Sequence, residues 1–341
     1  MAITIKDIAK KANVSITTVS RVLNNKTEGI GEETRKRVLD IIEELDYRPN
    51  TIARSMVTKQ TNTIGLIIPD IRNPFFPELV RGVEDFANDA GYSVFLCNTD
   101  GSIKREVEAL RLMKEKNVDG IVFTYSHATT KHPFQSLVHR HRIPVVLLDR
   151  GLDGEKYSGV YTDNEKAGYI ATKHLIDLSH VQIGCITGPE HVQNSKDRLK
   201  GYMKALNQAG IPVDHRRIVS GDYQLEGGYR AAKALLEKGH VTAIFAFNDL
   251  MAFGVYQAAA EMGVTIPDDL SVVGFDNLKY NRLLQPKLTT IEQPTYEMGK
   301  TATELLLQQI RESKRVKTQT IYLDPSLIIR NSTKKRRTED D

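Results

Sequence analysis

The spacing of apolar residues changes character once along the chain, near residue 60. Before that point apolar residues recur only at helical spacing, as in Ile5, Ile8 and Ala9 and again in Val38 and Ile41. After it, short apolar runs alternate with helical segments. Such alternation predicts parallel sheets with helices on both faces. The change of rhythm therefore predicts a small all-α unit followed by a larger α/β body.

The α/β body contains two successive series of predicted strands. The first series lies at 64–69, 92–98, 120–124, 145–148 and 160–162, and the second at 182–187, 217–220, 243–246, 271–274 and 288–291. Two series of this size predict two doubly wound, parallel-sheet lobes and not one large sheet. Ligands of such sheets bind beyond the carboxyl ends of the strands. A cleft between the two lobes is therefore the expected ligand site.

The N-terminal unit has the spacing of a helix-turn-helix. Thr4 and Ser15 are predicted to cap two short helices that are joined by a tight turn at Asn13, and a third helix follows at 32–45. In this motif the start of the second helix meets the base edges. The exposed candidates there are Ile16, Thr17, Thr18, Ser20 and Arg21. Arg21 can bind guanine in a bidentate manner, although a plain three-helix cap with a solvated Arg21 fits the periodicity equally well.

Composition and charge modify this interpretation only slightly. Residues 1–60 carry a net charge of +3 and residues 334–341 a net charge of +1, out of +4 for the chain. A basic unit beside a neutral body is typical of a nucleic-acid reader with an attached sensor. The two cysteines, Cys97 and Cys185, lie in apolar runs and predict free thiols. The start of the chain is polar and no apolar run reaches the ~18 residues of a membrane span, so a cytoplasmic protein is expected.

Motifs of common enzymes and metal sites do not occur in the sequence. It has no phosphate-binding glycine-rich loop, no G-x-S-x-G and no H-E-x-x-H. His139 and His141 are two positions apart on a helix-like stretch, so they face different directions and make poor joint metal ligands. We therefore expect a protein without enzymatic activity, metal or cofactor.

Two strings carry a family resemblance. VSITTVSRVLN at residues 14–24 and YRPNTIARS at residues 47–55 strongly resemble the recognition helix and the hinge of the LacI/GalR family of bacterial repressors. The resemblance covers essentially the whole chain and implies a core similar to the periplasmic sugar-binding proteins. It implies the following domains: a helix-turn-helix domain at 1–49, a hinge helix and linker at 50–61, an N lobe at 62–162 and 292–322, a C lobe at 163–291 and 323–333, and a mobile tail at 334–341.

The resemblance also implies which residues contact DNA. Ile16, Thr17 and Arg21 occupy the base-reading positions of the family. The hinge helix lies in the minor groove, where an apolar side chain wedges open the central base step. That residue is leucine in most members and Met56 here, and the flexibility of methionine leaves open how sharply the step is kinked. The full predicted DNA-contacting set is Thr4, Ser15, Ile16, Thr17, Thr18, Ser20, Arg21, Asn24, Asn50, Ala53, Arg54 and Met56.

A second set of residues resembles the sugar-contacting pattern of the ribose-binding member of the periplasmic superfamily. Tyr223 stands where that pattern has phenylalanine, and the others match in identity. Aromatic faces can sandwich a sugar, and carboxylates, guanidiniums and amides can bind its hydroxyls. The resemblance implies D-ribose or a near relative as effector. The predicted effector-binding set is Asn73, Phe75, Phe76, Asp149, Arg150, Arg198, Tyr223, Asn248, Phe275, Asp276 and Gln293.

Structural alternatives exist for each of these residues taken alone. Phe75 and Phe76 could belong to the core, Asp149 and Arg150 could form a surface ion pair, and Asn248 could only cap a helix. Their joint occurrence near successive strand ends favours a binding site.

Three functions compete at this point. The first is a dimeric repressor that is released from a pseudo-palindromic operator by ribose, with no terminal leucine heptad that would make a tetramer. The second is a carbon regulator whose input is a phosphorylated phosphocarrier protein, suggested by the stretch at 293–297. The third is a sugar-binding or sugar-modifying protein without a DNA function, which the missing export signal and phosphate loop disfavour.

Overall fold

The chain forms two compact units, Met1–Thr61 and Asn62–Asp341. The computed structural model describes residues 3–26, 28–47, 60–126, 134, 136, 138, 143–151, 157–239, 241–312 and 317–336. The predicted hinge contacts Asn50, Ala53, Arg54 and Met56 lie outside the described residues. Every helix in the described part of the chain is too short or too polar to traverse a bilayer.

The first unit is a three-helix fold. Its helices are α1 (Ile5–Ala12), α2 (Ile16–Leu23) and α3 (Glu32–Glu44). Thr4 donates from its backbone N–H and its hydroxyl to the Asp7 carboxylate at 2.8 and 2.7 Å, and Ser15 Oγ accepts from the Thr18 N–H at 3.0 Å. These are the two helix caps that the sequence predicts. The helices close over a small buried core of Ile8, Ala9, Ala12, Val19, Val22, Val38 and Ile41. The predicted helix-turn-helix is confirmed.

The second unit consists of two lobes, each built around a six-stranded sheet. The helices of this unit are α4 (Phe75–Asp89), α5 (Ile103–Glu115), α6 (Asn164–Asp177), α7 (Gln193–Gln208), α8 (Leu225–Glu237), α9 (Asp249–Glu261) and α10 (Thr295–Glu312). The strands are β1 (Thr63–Ile68), β2 (Ser93–Asn98), β3 (Gly120–Phe123), β4 (Val145–Leu148), β5 (Ser158–Thr162), β6 (Ile183–Thr187), β7 (Ile218–Ser220), β8 (Ala243–Ala246), β9 (Ser271–Asp276), β10 (Thr289–Glu292), β11 (Thr320–Leu323) and β12 (Ser326–Ile328).

The strand orders show how the chain passes between the lobes. The sheet of the N lobe runs β11-β5-β4-β3-β1-β2, and that of the C lobe runs β12-β10-β9-β8-β6-β7. All pairs are parallel except β10 with β12. The chain therefore changes lobe after β5, after β10 and again between β11 and β12. The predicted fold class of two parallel-sheet α/β lobes is confirmed.

The strands that the sequence missed are the two late edge strands. All ten predicted strands occur, with ends shifted by a residue or two. The additional strands β11 and β12 are short and largely exposed, unlike the fully buried β3, β4 and β8. These two strands lack the continuous apolar run of a buried parallel strand. Each of these two strands is identified by its pairing with residues distant in the chain and not by its own sequence pattern.

Three helix pairs pack unusually closely because glycines face backbone across each contact. The pairs are α4 with α10 through Gly82 and Gly299, α6 with α7 through Gly168 and Gly201, and α8 with α9 through Gly228 and Gly254. A Cβ at any of these glycines would overlap backbone atoms of the partner helix. The glycines thus set the depth to which each helix lies against its neighbour.

The C-terminal residues 334–336 correct the predicted mobile tail. His180 Nε2 lies 3.1 Å from the Lys334 carbonyl oxygen, and the Arg336 N–H donates to the Leu178 carbonyl at 2.9 Å. Ser332 Oγ accepts from the Thr289 N–H at 2.7 Å. Main-chain groups of residues 334–336 therefore hydrogen-bond to the C lobe, and these bonds hold the segment against it. Residues 337–341 lie outside the described part of the chain.

Candidate functional site

In the helix-turn-helix unit, the predicted base-reading residues divide into exposed and engaged groups. Ile16 is 44% exposed although it is a large apolar residue, and Thr17 beside it is also exposed. The Arg21 side chain is hydrogen-bonded to the backbone instead. Its Nε donates to the Lys26 carbonyl at 3.2 Å and its Nη2 donates to the Glu28 carbonyl. Arg21 is exposed and yet bonded to its own chain, and its base-reading role stays a prediction. To reach a base, Arg21 would have to exchange these two carbonyls for the guanine edge.

The remaining predicted DNA contacts of this unit have intramolecular roles. The hydroxyls of Thr4 and Ser15 take part in the helix caps, and Thr18 Oγ1 lies 2.9 Å from Ser15 Oγ. Asn24 Nδ2 donates to the Ser20 carbonyl at 2.7 Å. Thr4 thus shapes the start of α1, and Ser15, Thr18 and Asn24 shape the ends of α2, whether or not they also contact DNA.

In the second unit, the predicted effector residues meet between the two lobes. Arg150, which follows β4 of the N lobe, has its guanidinium carbon 6.0 Å from the Phe76 ring centroid and 5.9 Å from that of Tyr223 in the C lobe. Arg198 on α7 stacks on Phe275, with 3.5 Å between its guanidinium carbon and the ring centroid. These cation–aromatic contacts span both lobes. Contacts and chain neighbours connect all eleven predicted residues into one continuous cluster.

Two buried carboxyl groups lie in this cluster. Asn194 Nδ2 donates to Asp149 Oδ1 at 3.0 Å, and Arg150 Nε lies 3.4 Å from Asp149 Oδ2. Gln293 Nε2 donates to Asp276 Oδ1 at 2.8 Å. Burial raises the pKa of both carboxyl groups, and the nearby guanidiniums oppose that shift. Two acids and two arginines therefore share a poorly hydrated space.

The backbone at these strand ends adopts conformations that side chains usually avoid. Asp149 has φ 63°, Tyr223 has φ 64° and Asp276 has φ 112°. Residues other than glycine are uncommon at positive φ, and such strain is concentrated at functional sites. Asp149 directly follows β4, Tyr223 lies shortly after β7, and Asp276 is the last residue of β9.

One buried polar atom of the cluster, Gln293 Oε1, makes no hydrogen bond within the described part of the chain. A buried polar atom without a partner costs about 1–3 kcal/mol. An open cavity of about 440 Å³ borders the cluster at Asp276 and Gln293, and most of its other lining residues, such as Glu78 and Lys279, lie outside the cluster. Gln293 Oε1 is thus an acceptor that a polar molecule could pair.

Two members of the cluster are fixed by helices. α7 begins at Gln193, so Arg198 lies just over one turn into this helix. From there its Nε donates to Asn164 Oδ1 at 2.8 Å and its Nη1 to the Phe247 carbonyl. Asn248 does cap a helix, since its Oδ1 accepts from the Met251 N–H at 2.9 Å. The structural alternative for Asn248 therefore holds, whatever else it contacts.

Sequence reasoning missed the residues that hold the charged groups in place. Asn164 and Asn194 are both buried, and they fix Arg198 and Asp149 respectively. Asp249 is fully buried and accepts from the Leu278 N–H and Asn281 Nδ2, each at 2.8 Å, and from Thr290 Oγ1 at 2.7 Å. An Asn or Asp near a helix start is read as an ordinary cap, so the sequence carries no signal of these contacts. Groups of three or more potential metal ligands are absent from the described residues.

Comparison with known proteins places both units in one family. Residues 61–327 match the periplasmic binding proteins and sugar binding domain of the LacI family, and residues 4–50 match the bacterial regulatory proteins of the lacI family. The HTH-type transcriptional repressor PurR of Photobacterium profundum is 39% identical over 332 residues, which cover 97% of this chain and 98% of the relative. The ribose operon repressor of Halalkalibacterium halodurans is 41% identical over 333 residues, covering 97% of both chains.

Solved structures agree with this assignment. The lac repressor dimer bound to operator and the anti-inducer ONPF has a TM-score of 0.87 at 27% identity, covering 98% of this chain and 100% of that one. A LacI family regulator from Enterococcus faecium with bound ribose has a TM-score of 0.74 at 33% identity, covering 81% and 100%. The chain therefore belongs to the LacI family, and it is a DNA-binding transcriptional repressor and not an enzyme.

Proposed function

We propose that this repressor binds D-ribose, or a close neutral relative, between its lobes and that binding releases the protein from its operator. The observation that carries the proposal is the interlobe cluster in which Arg150 faces aromatic rings of both lobes and Gln293 Oε1 is buried without a partner. The proposal is supported by the ribose operon repressor at 41% identity and by the E. faecium regulator that was solved with ribose. The two relatives described above carry different names, so sequence similarity alone does not select the ligand.

The charge balance of the cluster favours an uncharged ligand. Asp149 and Asp276 offset Arg150 and Arg198, and each carboxyl group lies near a guanidinium. A phosphate group in this space would add negative charge beside two buried acids. It would also have to compete for the two arginines with their present partners. Neutral hydroxyls can instead donate to the carboxylates and accept from the guanidiniums. The cluster therefore suits ribose better than ribose 5-phosphate.

Calorimetric titration with D-ribose, D-ribose 5-phosphate and D-galactose tests the ligand. We expect heat with ribose alone, and loss of that heat in Asp276→Ala and Arg150→Ala. Arg216→Ala is the matched control, because Arg216 is an exposed arginine that pairs with Asp214 and not with a residue of the cluster. Heat with the phosphate ester alone would overturn the charge argument, and no heat with any sugar would overturn the ligand.

A second measurement gives the direction of the response. A palindromic duplex selected from random DNA is titrated with the protein, with and without ribose. We expect ribose to weaken the complex, since an effector acts only through its different affinities for the DNA-bound and free states. Tighter binding in the presence of ribose would make it a corepressor.

We also propose that Ile16, Thr17 and Arg21 read the operator. Exposure of Ile16 and Thr17 at the start of α2 supports this role. Ile16→Ala should change base preference, while Arg37→Ala on α3 should leave it unchanged. Identical selected sequences for wild type and Ile16→Ala would contradict the assignment. The roles of Asn50, Ala53, Arg54 and Met56 in the minor groove remain proposals from the family resemblance.

A homodimer is the proposed assembly. The edge strand β2 exposes Phe95 and Leu96 at 37% and 40%, and the C lobe exposes Leu283 at 78%. Exposed large apolar side chains of this kind favour a protein interface. Light scattering of Leu283→Asp and Leu96→Asp should show monomers where the wild type shows dimers, and dimers in both variants would place the interface elsewhere.

A phosphorylated phosphocarrier protein is a second candidate input. On the face formed by α4 and α10, Arg81 is exposed and Tyr296 Oη donates to Asp85 Oδ2 at 3.2 Å, with Lys300 one turn further along α10. Exposed cations beside an aromatic ring suit a phosphorylated surface. A pull-down with the phosphorylated carrier that recovers nothing would remove this candidate.

A further inference from the structure

One buried carboxylate of the C lobe joins the strands β9 and β10 near their carboxyl ends. Asp249 is fully buried at the start of α9. Its Oδ2 accepts from the Leu278 N–H and from Asn281 Nδ2, each at 2.8 Å, just beyond the end of β9. Its Oδ1 accepts from Thr290 Oγ1 of β10 at 2.7 Å. A single side chain of α9 therefore binds both strands.

The contacts of Asp249 surround the backbone of Asp276, which belongs to the effector cluster. Asp276 is the last residue of β9 and has φ 112°, and Asn277 follows it with φ 54°. Such backbone conformations persist only where the surrounding structure determines them. The Asn277 N–H donates to Thr290 Oγ1 at 3.4 Å, so the hydroxyl that binds Asp249 also binds the residue after Asp276. The strained segment is thus held from β10 and from α9 together.

The surroundings of Asp249 fit a carboxylate in space and in charge. A Cβ at Gly274 of β9 would overlap Asp249 Oδ1, so glycine at that position leaves the room that the carboxylate occupies. Burial raises the pKa of Asp249 to about 6, and the hydrogen bonds that it accepts oppose that rise. The group is therefore ionised at neutral pH, and hydrogen bonds to an ionised acceptor are stronger than those between neutral groups.

We infer that Asp249 is a positioning residue of the effector site, which holds Asp276 in its binding conformation through β9 and β10 without contacting the effector itself. This inference rests on the proposed sugar site and adds a residue outside the cluster. Both oxygens of Asp249 already accept hydrogen bonds from the chain. Its contribution to sugar affinity is therefore indirect and passes through Thr290 and Leu278.

The variant Thr290→Val separates positioning from plain stability. It removes the hydroxyl that binds Asp249 and Asn277 but keeps the shape of the side chain, and Thr290→Ser keeps the hydroxyl. Thr289→Val is the matched control. Thr289 is equally buried, but it faces the other side of β10, where its hydroxyl accepts from the Arg330 N–H at 2.9 Å. Chemical denaturation should show similar losses of stability in both valine variants, because each loses one buried hydroxyl that is hydrogen-bonded.

Calorimetric titration with D-ribose should then distinguish the variants. We expect binding to weaken about tenfold in Thr290→Val, the equivalent of one hydrogen bond, and to stay near the wild-type value in Thr290→Ser and Thr289→Val. Asp249→Asn should show a loss of similar size, because an amide has one acceptor oxygen where the carboxylate has two. Adding Thr290→Val to Asp249→Asn should cause little further loss, since both changes break the same contact.

The outcomes separate this inference from the proposed function. Wild-type affinity in Thr290→Val, equal losses of affinity in Thr290→Val and Thr289→Val, or additive losses in the double variant would overturn the positioning role and leave the sugar site standing. Absence of ribose binding by the wild-type protein would overturn the proposed effector and this inference with it.

Discussion

The contact between α6 and α7 links packing to the candidate site, and Gly168→Ala tests that link. A Cβ at Gly168 would lie 3.0 Å from both the carbonyl carbon and the Cα of Arg198, and closer still to the Arg198 carbonyl oxygen. Non-bonded carbon atoms in proteins prefer about 3.5–4.0 Å. The two helices must therefore separate by at least several tenths of an ångström. The displaced backbone is that of Arg198 itself.

The size of the effect follows from two opposing contributions. Replacing glycine by alanine inside a helix stabilises it by about 1 kcal/mol, while overpacking a close contact costs about 1–3 kcal/mol. We expect overpacking to win, because the obstructing atoms are backbone and cannot rotate away. The net loss should be up to about 2 kcal/mol, and each kcal/mol lowers the melting temperature by about 2–4 °C in a unit of this size.

The same displacement should weaken effector binding. Arg198 stacks on Phe275 at 3.5 Å, and its Nε donates to Asn164 Oδ1 at 2.8 Å, on the first turn of α6. Chemical denaturation and sugar titration of Gly168→Ala should therefore both show losses. Lys173→Ala, an exposed position on the same helix, is the control and should change stability by less than about 0.5 kcal/mol. A Gly168→Ala protein that is more stable than wild type and binds its effector equally well would refute the reasoning.

Further predictions concern the rest of the chain. Burial lowers the pKa of His180, so the folded protein binds fewer protons than the unfolded chain at low pH. The free energy of unfolding should therefore fall as the pH drops below about 6.5. Denaturation curves of His180→Gln should show a weaker dependence on pH. In the helix-turn-helix core, Val19→Ala should destabilise the first unit by about 2 kcal/mol, because Val19 is fully buried, while the melting of the second unit stays unchanged in calorimetry. Glu78 and Lys279 form an ion pair of 2.8 Å between the two lobes, and both side chains are exposed. A double-mutant cycle should therefore give a coupling free energy below about 1 kcal/mol. A larger value would show that this pair holds the lobes together.

The sequence predicts the inner strands of both sheets well because these strands are largely buried on both faces. Runs such as 145–148 contain only apolar residues, and they occur as strands with full burial. The edge strand β11 alternates exposed and half-buried residues and is recognisable only from its pairing with β5. The docking of residues 334–336 on His180 is equally invisible in sequence, because the contacts join residues more than 150 positions apart. The local sequence pattern therefore predicts local structure but not the contacts between residues far apart in the chain.

At the candidate site, the sequence predicts which residues take part but not the backbone conformation that they adopt. Chemistry and position beyond strand ends were enough to identify Asp149, Tyr223 and Asp276 as candidates. Propensity alone would have placed none of them at positive φ, where each costs on the order of 1–3 kcal/mol. Such conformations persist only where the surrounding structure determines them. Here the strands hold the backbone while the lobes bury the side chains, so groups that local rules would expose to water lie in the interior instead. Local preference and observed conformation disagree at these three residues, and the sugar titration of the Asp276→Ala and Arg150→Ala variants tests whether the cluster that contains them binds a ligand.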